Sequence, residues 1–477
     1  MDFFLDEALI IGPASDTLEI QGLYNAYPAF PSQVYGALLR AAGLVKELDL
    51  QEILVVSRVF NVFLFLFNLL LFYLVVRRWL ERWSLLALFL FASTPSVFYS
   101  ATVIKAEALL MAETLGLLLL VPGIVRFPYR WMRHLAAGVL CGLALGTKYY
   151  PAPLAVYAAA LFLAFWKSRP LPQRALWAAP RILLFVAAVG AAAYLTDFHF
   201  PDVEYLQKNY DIRVLDEPSF FRSVDAPGAF PYGRVSYMLL FQAPFALGWM
   251  NILPALAAVA LRRVPWPAVV VGGALTLAVL GIGALTLTHF PWDFVLIAPL
   301  VAFSVTCLLK KFSLTNRLSC FVFAVFMVAV VLASILQYSS VVAMIRGCLV
   351  EERRLHREAV NLVGKDYMYF LISKSLLVQN IKSDCIEETV RKKQPHGLLI
   401  LDSYVYNLCK YPEGSGYRKS GEFLMDVIEG KTEYRLVQQQ RIPYFRLNLT
   451  VDPERSMSFY LLAKKPVAED AAAARDG

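Results

Sequence analysis

The sequence predicts an all-α polytopic membrane protein, a bundle of about ten spans, followed by a small C-terminal α/β domain. Of 477 residues, 58% are hydrophobic and 17% are charged, and the mean hydropathy is +0.55. Soluble domains average about 45–50% apolar and about 25% charged residues. Near residue 346 the composition changes to charged runs and short apolar runs of strand length. These observations exclude an ordinary soluble enzyme, a disordered chain and a disulfide scaffold.

Each predicted span is an apolar segment close to the length of a bilayer-crossing helix, which needs about 20 residues. Some of these segments are short, and their assignment also depends on the charges between them. The segments lie at 54–76, 84–101, 107–125, 134–147, 149–166, 180–196, 236–261, 268–287, 293–309 and 319–341.

The connections between these segments alternate between basic ones and short or acidic ones. Basic connections lie at 77–82, 126–133, 167–174, 262–263 and 310–317. The positive-inside rule places these in the cytoplasm, so both termini and the loops 1–53 and 197–235 face outward. The basic connections orient the bundle in the lipid bilayer and account for the net charge of +8, so no nucleic-acid partner is expected. We expect a multi-pass protein of the cell membrane.

Residues 134–166 allow two interpretations. They form either one long helix or two shorter ones broken between Gly146 and Pro151. A single crossing would place Lys167, Arg169 and Arg174 outside, so the charge rule favours two crossings. Lys148 then lies at the outer interface.

The N-terminus is unusual because no span precedes the outward segment 1–53. Either an initial helix is missing from this version of the chain, or a short acidic leader is translocated. The first interpretation is favoured.

The C-terminal part divides into a predicted extracytoplasmic α/β domain at 346–466 and a disordered tail at 467–477. The membrane domain then spans 1–345. About 110 residues suffice for a small domain with its own core. Cys385 and Cys409 could pair if this domain faces an oxidising compartment.

Ionisable side chains collect on the predicted outer side of the bundle. Such residues near membrane depth are costly and therefore indicate function. They also have simpler explanations, because Arg and Lys reach toward head groups and tyrosines form interfacial belts. The acids are Asp6, Glu7 and Glu107, the basic residues are Arg58, Lys105, Lys148 and His289, and the neighbouring tyrosines are Tyr27, Tyr149 and Tyr150.

Carboxylates and cations at one interface suit the transfer of a sugar from a lipid phosphate. A carboxylate can remove the proton of an acceptor hydroxyl, and cations can hold the phosphate as the sugar leaves. We expect Tyr27, Tyr149 and Tyr150 to line the acceptor or lipid groove. A divalent cation such as Mg²⁺ or Mn²⁺, bound by Asp6 and Glu107, could bridge the phosphate instead, because hard cations prefer oxygen ligands.

At these residues the chain resembles the GT-C glycosyltransferases, and within them the dolichyl-phosphate-mannose protein mannosyltransferase and aminoarabinose transferase branch. The resemblance covers residues 1 to about 310. It rests on motifs in a fixed order: Asp6-Glu7, Tyr27-Pro28 with Pro31, Ser57-Arg58-Val59, Arg77-Arg78, Ser93-Thr94-Pro95, Lys105-Ala106-Glu107-Ala108-Leu109, the segment from Gly142 to Tyr149, and His289-Phe290-Pro291-Trp292-Asp293.

The resemblance implies an enzyme that uses a polyprenyl-phosphate sugar donor, usually with inversion at the anomeric carbon. It assigns the catalytic base to Asp6, with Glu7 beside it, and the second outer acid to Glu107. The basic residues near the donor phosphate map onto Arg58 and Lys148. Trp292 and Asp293 depart from the family, which usually has Arg or Tyr in this late motif. The donor sugar and the acceptor, which could be a protein, a lipid or a glycan, stay open.

The sequence also fits two alternative functions: a transporter or flippase of lipid-linked sugars, and a non-catalytic scaffold. Transporters tend to place polar residues and broken helices at the bilayer midplane. Here the middles of the spans are nearly free of charge, with Glu113 as the exception, which favours the transferase.

Overall fold

The chain folds into a helical bundle followed by a small sheet with helices. The structure is a computed structural model. It describes residues 30–41, 50–148, 150–166, 171–196, 238–285, 291–311, 317–364, 366–370, 386–401, 405, 409, 416–442 and 457–465.

The bundle is built from apolar helices joined by short connections. They are α1 (Phe30–Ala41), α2 (Leu50–Leu80), α3 (Ser84–Ala92), α4 (Pro95–Thr102), α5 (Ala106–Arg126), α6 (Trp131–Lys148), α7 (Ala152–Trp166), α8 (Leu171–Thr196), α9 (Ala243–Leu247), α10 (Trp249–Ala260), α11 (Trp266–Leu285), α12 (Ala298–Lys311) and α13 (Arg317–Val363). Short 3₁₀ turns lie at Glu81–Trp83 and Pro291–Leu296, and a π-turn lies at Met238–Gln242.

Four segments of the described chain are long and apolar enough to cross a membrane: Val55–Ala92, Ala106–Arg126, Ala178–Thr196 and Phe294–Lys311. Shorter apolar helices lie at Ala152–Trp166, Trp249–Ala260, Trp266–Ile282 and Ser319–Ala333. The multi-pass character is therefore clear, whereas the number of about ten crossings stays a prediction.

The predicted span 84–101 is wrong as a single helix. The chain breaks between α3 and α4, where Thr94 is extended with φ −68° and ψ 127° before Pro95. Proline disfavours the helical conformation of the residue before it, so the two apolar halves cannot continue into one another. In contrast, residues 134–166 form two helices, α6 and α7, as the charge pattern favoured.

Three glycines on one face of α6 bring this helix against α8. A Cβ atom would lie 2.6 Å from the Phe185 carbonyl oxygen at Gly138, 2.5 Å from the Val189 carbonyl oxygen at Gly142, and closest of all to the Thr196 hydroxyl at Gly146. Small residues at such spacing let membrane helices approach closely. This contact fixes the end of α6, which carries Thr147 and Lys148.

The C-terminal part is a four-stranded sheet with helices, which confirms the predicted mixture of strands and helices. The strands are β1 (Tyr367–Phe370), β2 (Gly397–Leu401), β3 (Tyr434–Ile442) and β4 (Met457–Lys464), with helices α14 (Ile386–Lys393) and α15 (Gly416–Ile428). Their order is β1-β2-β4-β3, with β1 parallel to β2 and the other pairs antiparallel.

Helix α13 runs without interruption across the predicted boundary at 345/346. Its last turns belong to the C-terminal core, where Leu355 and Ala359 pack with Leu399 and Leu461. The predicted tail 467–477 and Cys385 lie outside the described residues, so the pairing of Cys385 with Cys409 stays a prediction.

Candidate functional site

The site begins at the connection between α4 and α5. Val103 and Lys105 are extended, and Glu107 follows in the first turn of α5. A carboxylate in this position interacts favourably with the positive end of the helix dipole. The Glu107 residue is 2% exposed, so its side chain is turned into the bundle.

Glu107 forms a buried ion pair with Lys148, the last residue of α6. The Glu107 Oε1 atom lies 2.5 Å from Lys148 Nζ, and the two side chains are 3% and 13% exposed. The second carboxylate oxygen, Oε2, is buried and accepts no hydrogen bond from the described residues. A buried ion of this kind is costly unless its lone pairs are satisfied, so Oε2 is an acceptor available to a ligand or to a part of the chain outside the described residues.

The residue before Lys148 holds a second buried acid of α5. Thr147 Oγ1 donates to Glu113 Oε1 at 2.7 Å, and Glu113 is 6% exposed. Its other oxygen, Oε2, is also buried without a hydrogen bond from the described residues. Consecutive residues at the end of α6 therefore bind two acids six positions apart on α5.

Two asparagines of α2 fix the backbone on both sides of Glu107. Asn61 Nδ2 donates to the carbonyl oxygens of Ser100 at 2.7 Å and Val103 at 3.1 Å. Asn68 Nδ2 donates to the Ala108 carbonyl at 2.9 Å. Both asparagines are fully buried, and unpaired carbonyls at this depth would be costly. The turn that presents Glu107 is therefore held from α2.

Helix α1 lies against the same region. Tyr35 donates its hydroxyl to Asn61 Oδ1 at 3.0 Å, and Gln33 Nε2 donates to the Thr196 carbonyl at the end of α8 at 3.1 Å. Sequence reasoning missed Asn61, Asn68, Tyr35 and Thr147. The sequence does contain a sign of the two asparagines' role: they are seven residues apart in an apolar helix and therefore share one face of it.

Three other predicted site residues lie in the described part of the chain: Lys105, Arg58 and Tyr150. Lys105 is 6% exposed, and its Nζ lies 5.3 Å from the centre of the Tyr99 ring. Arg58 is half-buried, one turn before Asn61 on α2. Tyr150 is 6% exposed and belongs to the main core of the bundle.

Five of the predicted site residues lie outside the described residues: Asp6, Glu7, Tyr27, Tyr149 and His289. Of the others, the structure joins Glu107 to Lys148. The assignments of the base, the late motif and the tyrosine groove stay predictions.

The described residues do not bring three His, Cys, Asp or Glu side chains together in a way that could hold a metal ion. Asp6, the second predicted ligand, lies outside that set. The described acids thus do not form a metal site by themselves.

An apolar crevice lies between α2, α5, α11 and α12. It starts at Leu118, 11 residues beyond Glu107 along α5, which is about 16 Å of helix, so it lies away from the ion pair. Tyr150 is not part of its wall. The residues around it include Val76, Trp79, Val121, Pro122, Pro267 and Phe303.

Comparisons with known proteins identify solved structures with a similar fold but no matching sequence family. No protein-family model and no curated protein matches the chain. The structure is similar to the crystal structure of ArnT from Cupriavidus metallidurans bound to undecaprenyl phosphate, with 13% identity and a TM-score of 0.50, over 97% of this chain and 94% of that one. The apo structure of the same protein aligns with 17% identity and a TM-score of 0.43, over 66% of this chain and 57% of that one. At these identities the likeness is one of fold.

Proposed function

We propose that this chain is a membrane glycosyltransferase that moves a sugar from a polyprenyl-phosphate donor to an acceptor hydroxyl. The observation that carries the proposal is the buried Glu107–Lys148 pair, in which the second carboxylate oxygen accepts no hydrogen bond from the described residues. This pair lies at a helix end, in a fold shared with a protein whose crystal structure contains undecaprenyl phosphate. The order of motifs that resembles the GT-C glycosyltransferases supports the same function.

Lys148 is suited to hold the donor phosphate. An ammonium has three N–H donors, and Glu107 occupies one of them at 2.5 Å. The ion pair fixes the position of the ammonium, and we propose that this positioned charge attracts the phosphate oxygens of the donor. Such preorganised charge is most effective where water is excluded, and the Lys148 side chain is 13% exposed.

The proposed reaction is a single displacement. The acceptor oxygen bonds to the anomeric carbon while the bond from that carbon to the phosphate oxygen breaks. The electron pair of that bond stays on polyprenyl phosphate, and the acceptor proton passes to a carboxylate acting as general base. We assign the base to Asp6, with Glu7 beside it, and attack from the opposite face inverts the anomeric carbon. The catalytic face is proposed to be extracytoplasmic.

A direct test uses the purified full chain in detergent with two synthetic donors, undecaprenyl-phosphate aminoarabinose and undecaprenyl-phosphate mannose. Release of undecaprenyl phosphate, followed by mass spectrometry in the presence of a membrane extract as acceptor source, is the expected result. Asp6→Asn should abolish release without lowering expression. Full activity of Asp6→Asn would refute the assignment of the base, and no release from either donor would count against the donor class. A chelator titration in the same assay tests for a metal.

Glu113 is the observation that favours a transporter, because it is a buried acid inside a helix long enough to span the bilayer. A flippase would move the labelled donor across liposomes without releasing undecaprenyl phosphate. Translocation without release would replace the transferase proposal, and neither activity would favour a non-catalytic scaffold.

A further inference from the structure

Three arginines surround one phenylalanine ring at the end of α5 opposite to Glu107. The guanidinium carbons of Arg126, Arg130 and Arg133 lie 5.2, 5.3 and 5.3 Å from the centre of the Phe127 ring. No two of these cations can therefore be farther apart than about twice that distance, which is close to the Debye length of about 8–10 Å in physiological salt. The ring attracts each cation, but the cations repel one another.

The connection that carries these arginines is tied down by its own backbone. Phe127 N–H donates to the Gly123 carbonyl at 2.9 Å, and Arg130 N–H donates to the Phe127 carbonyl at 3.2 Å. A ring nitrogen of the buried His134 lies 2.8 Å from the Pro128 carbonyl oxygen. Arg133 also donates from its guanidinium to the Gly123 carbonyl. The backbone that carries the three arginines is thus held in place by hydrogen bonds of the fold.

No carboxylate neutralises this cluster within the part of the chain that the structure describes. The structure records ring contacts for all three arginines and a carbonyl contact for Arg133, and no ion pair for any of them in the described ranges. The sequence agrees locally, because residues 114–196 contain neither Asp nor Glu. A triad of close, unneutralised guanidinium groups favours an anion from outside the chain.

The position of the cluster, at the end of an apolar helix, fits the surface of a membrane. Arg126 is the last residue of Ala106–Arg126, which is long and apolar enough to cross a bilayer. Tyr129, Trp131 and Met132 beside it are each 56% exposed. Exposed aromatic residues next to basic ones are typical of the headgroup level.

We propose that Arg126, Arg130 and Arg133, arranged around Phe127, form a binding site for the phosphate of an anionic phospholipid headgroup in the adjacent leaflet. Guanidinium groups bind phosphate oxygens in a forked geometry, and each basic residue near the surface adds to the attraction of anionic lipid. The positive-inside rule depends only on the number of basic residues in the connection. A specific lipid site also depends on the arrangement of the three arginines around Phe127. This inference is independent of the proposed function.

The test counts lipids bound to the purified full chain by native mass spectrometry. The probes are dioleoylphosphatidylglycerol and, for comparison, dioleoylphosphatidylcholine. We expect one phosphatidylglycerol to bind preferentially, and Arg126→Gln with Arg130→Gln to weaken it about thirtyfold. The matched control is Arg262→Gln with Arg263→Gln, which removes two exposed arginines from another predicted basic connection and should leave binding within about twofold.

A second variant keeps the charges. Phe127→Leu removes the ring that spaces the cations, and we expect it to weaken phosphatidylglycerol binding by about threefold or more. If the double glutamine variant does not fold, Phe127→Leu decides the test. Equal binding of both lipids, unchanged binding by Phe127→Leu, or an equal loss in the Arg262 and Arg263 control would overturn the site. Complete displacement of the lipid by millimolar inorganic phosphate would assign the site to a soluble anion instead.

Discussion

Lys148 Nζ lies 2.5 Å from Glu107 Oε1, although 41 residues separate these two residues in the chain. Lys148 is the last residue of α6 and Glu107 lies in the first turn of α5, so the ion pair joins the ends of these two helices. Thr147 and Glu113 form a second contact between the same helices. The end of α6 therefore carries a network of polar contacts inside an otherwise apolar bundle.

Glu107 and Lys148 should contribute to activity as a pair, so that removing either charge removes most of the effect of both. Glu107→Gln and Lys148→Met should each lower the release of undecaprenyl phosphate by at least about a hundredfold, because each removes preorganised charge from the proposed position of the donor phosphate. Each should also destabilise the protein by about 3–5 kcal/mol, because the buried ion pair loses one of its two partners. The double variant should lose much less than the sum of the single losses.

The matched control is Lys311→Met, an exposed lysine at the end of α12. It should leave both activity and thermal stability near those of the unmodified protein. Additive losses in the double variant would mean that Glu107 and Lys148 act separately.

Gly146→Ala should destabilise the bundle by about 1–3 kcal/mol, because the added methyl group would overlap Thr196 at the contact between α6 and α8. Activity should fall with it, since Thr147 and Lys148 follow directly. Gly190→Ala and Gly273→Ala have open space around the new atom and should be neutral or slightly stabilising. Thermal unfolding in detergent compares the stability of the three alanine variants. Similar melting temperatures for all three would contradict the close approach of the two helices at Gly146.

Asn61→Ala should cost about 2–4 kcal/mol, because it leaves the Ser100 and Val103 carbonyls unpaired at the turn before Glu107. We expect the turn to loosen and kcat to fall by about tenfold or more, since small misplacements at a site are costly. Asn251→Ala is the matched control: Asn251 is also buried, but its amide donates to the carbonyl of Leu247, only four residues earlier at the end of α9. A larger loss of kcat in Asn251→Ala would refute the role given to Asn61.

The C-terminal sheet should lose stability between about pH 10 and pH 12. Burial raises the pKa of Tyr434 from 10.0 to about 12, and its hydroxyl donates to the Pro395 carbonyl at 3.0 Å. Between those values the folded state binds more protons than the unfolded state, so stability is complete below pH 10 and falls as the pH rises through 12. The loss amounts to about 2–3 kcal/mol.

Ultraviolet titration of tyrosinate, compared between the unmodified protein and Tyr434→Phe, measures this ionisation. The difference between the two curves should show one tyrosine that ionises near pH 12. A difference curve centred near pH 10 would contradict the burial of the Tyr434 hydroxyl.

Several local features of the fold could be predicted from the sequence. The strands at Gly397–Leu401 and Met457–Lys464 were visible as apolar or alternating runs between polar residues. The separation of α6 from α7 followed from the position of the basic connections. In contrast, the break at Pro95 was hidden, because apolar residues continue on both sides and composition alone favoured one span over 84–101.

Glu107, Lys105 and Lys148 could be selected as candidates because charges inside or beside apolar segments are rare. Their arrangement could not be predicted. Asn61 and Asn68 were also visible as polar residues in an apolar helix, but nothing local to them indicates that their partners are carbonyls some 40 residues away.

The sequence by itself determined that the chain is a membrane bundle, which connections are basic and which few polar residues stand out. Only the tertiary structure decided that Lys148 pairs with Glu107, that Thr147 binds Glu113, and that α2 holds the turn before α5. The physical reason is that a span is apolar toward lipid and toward neighbouring helices alike, so its sequence pattern does not fix its rotation. Close packing at Gly146 and buried hydrogen bonds fix that rotation, and they form only when distant helices meet.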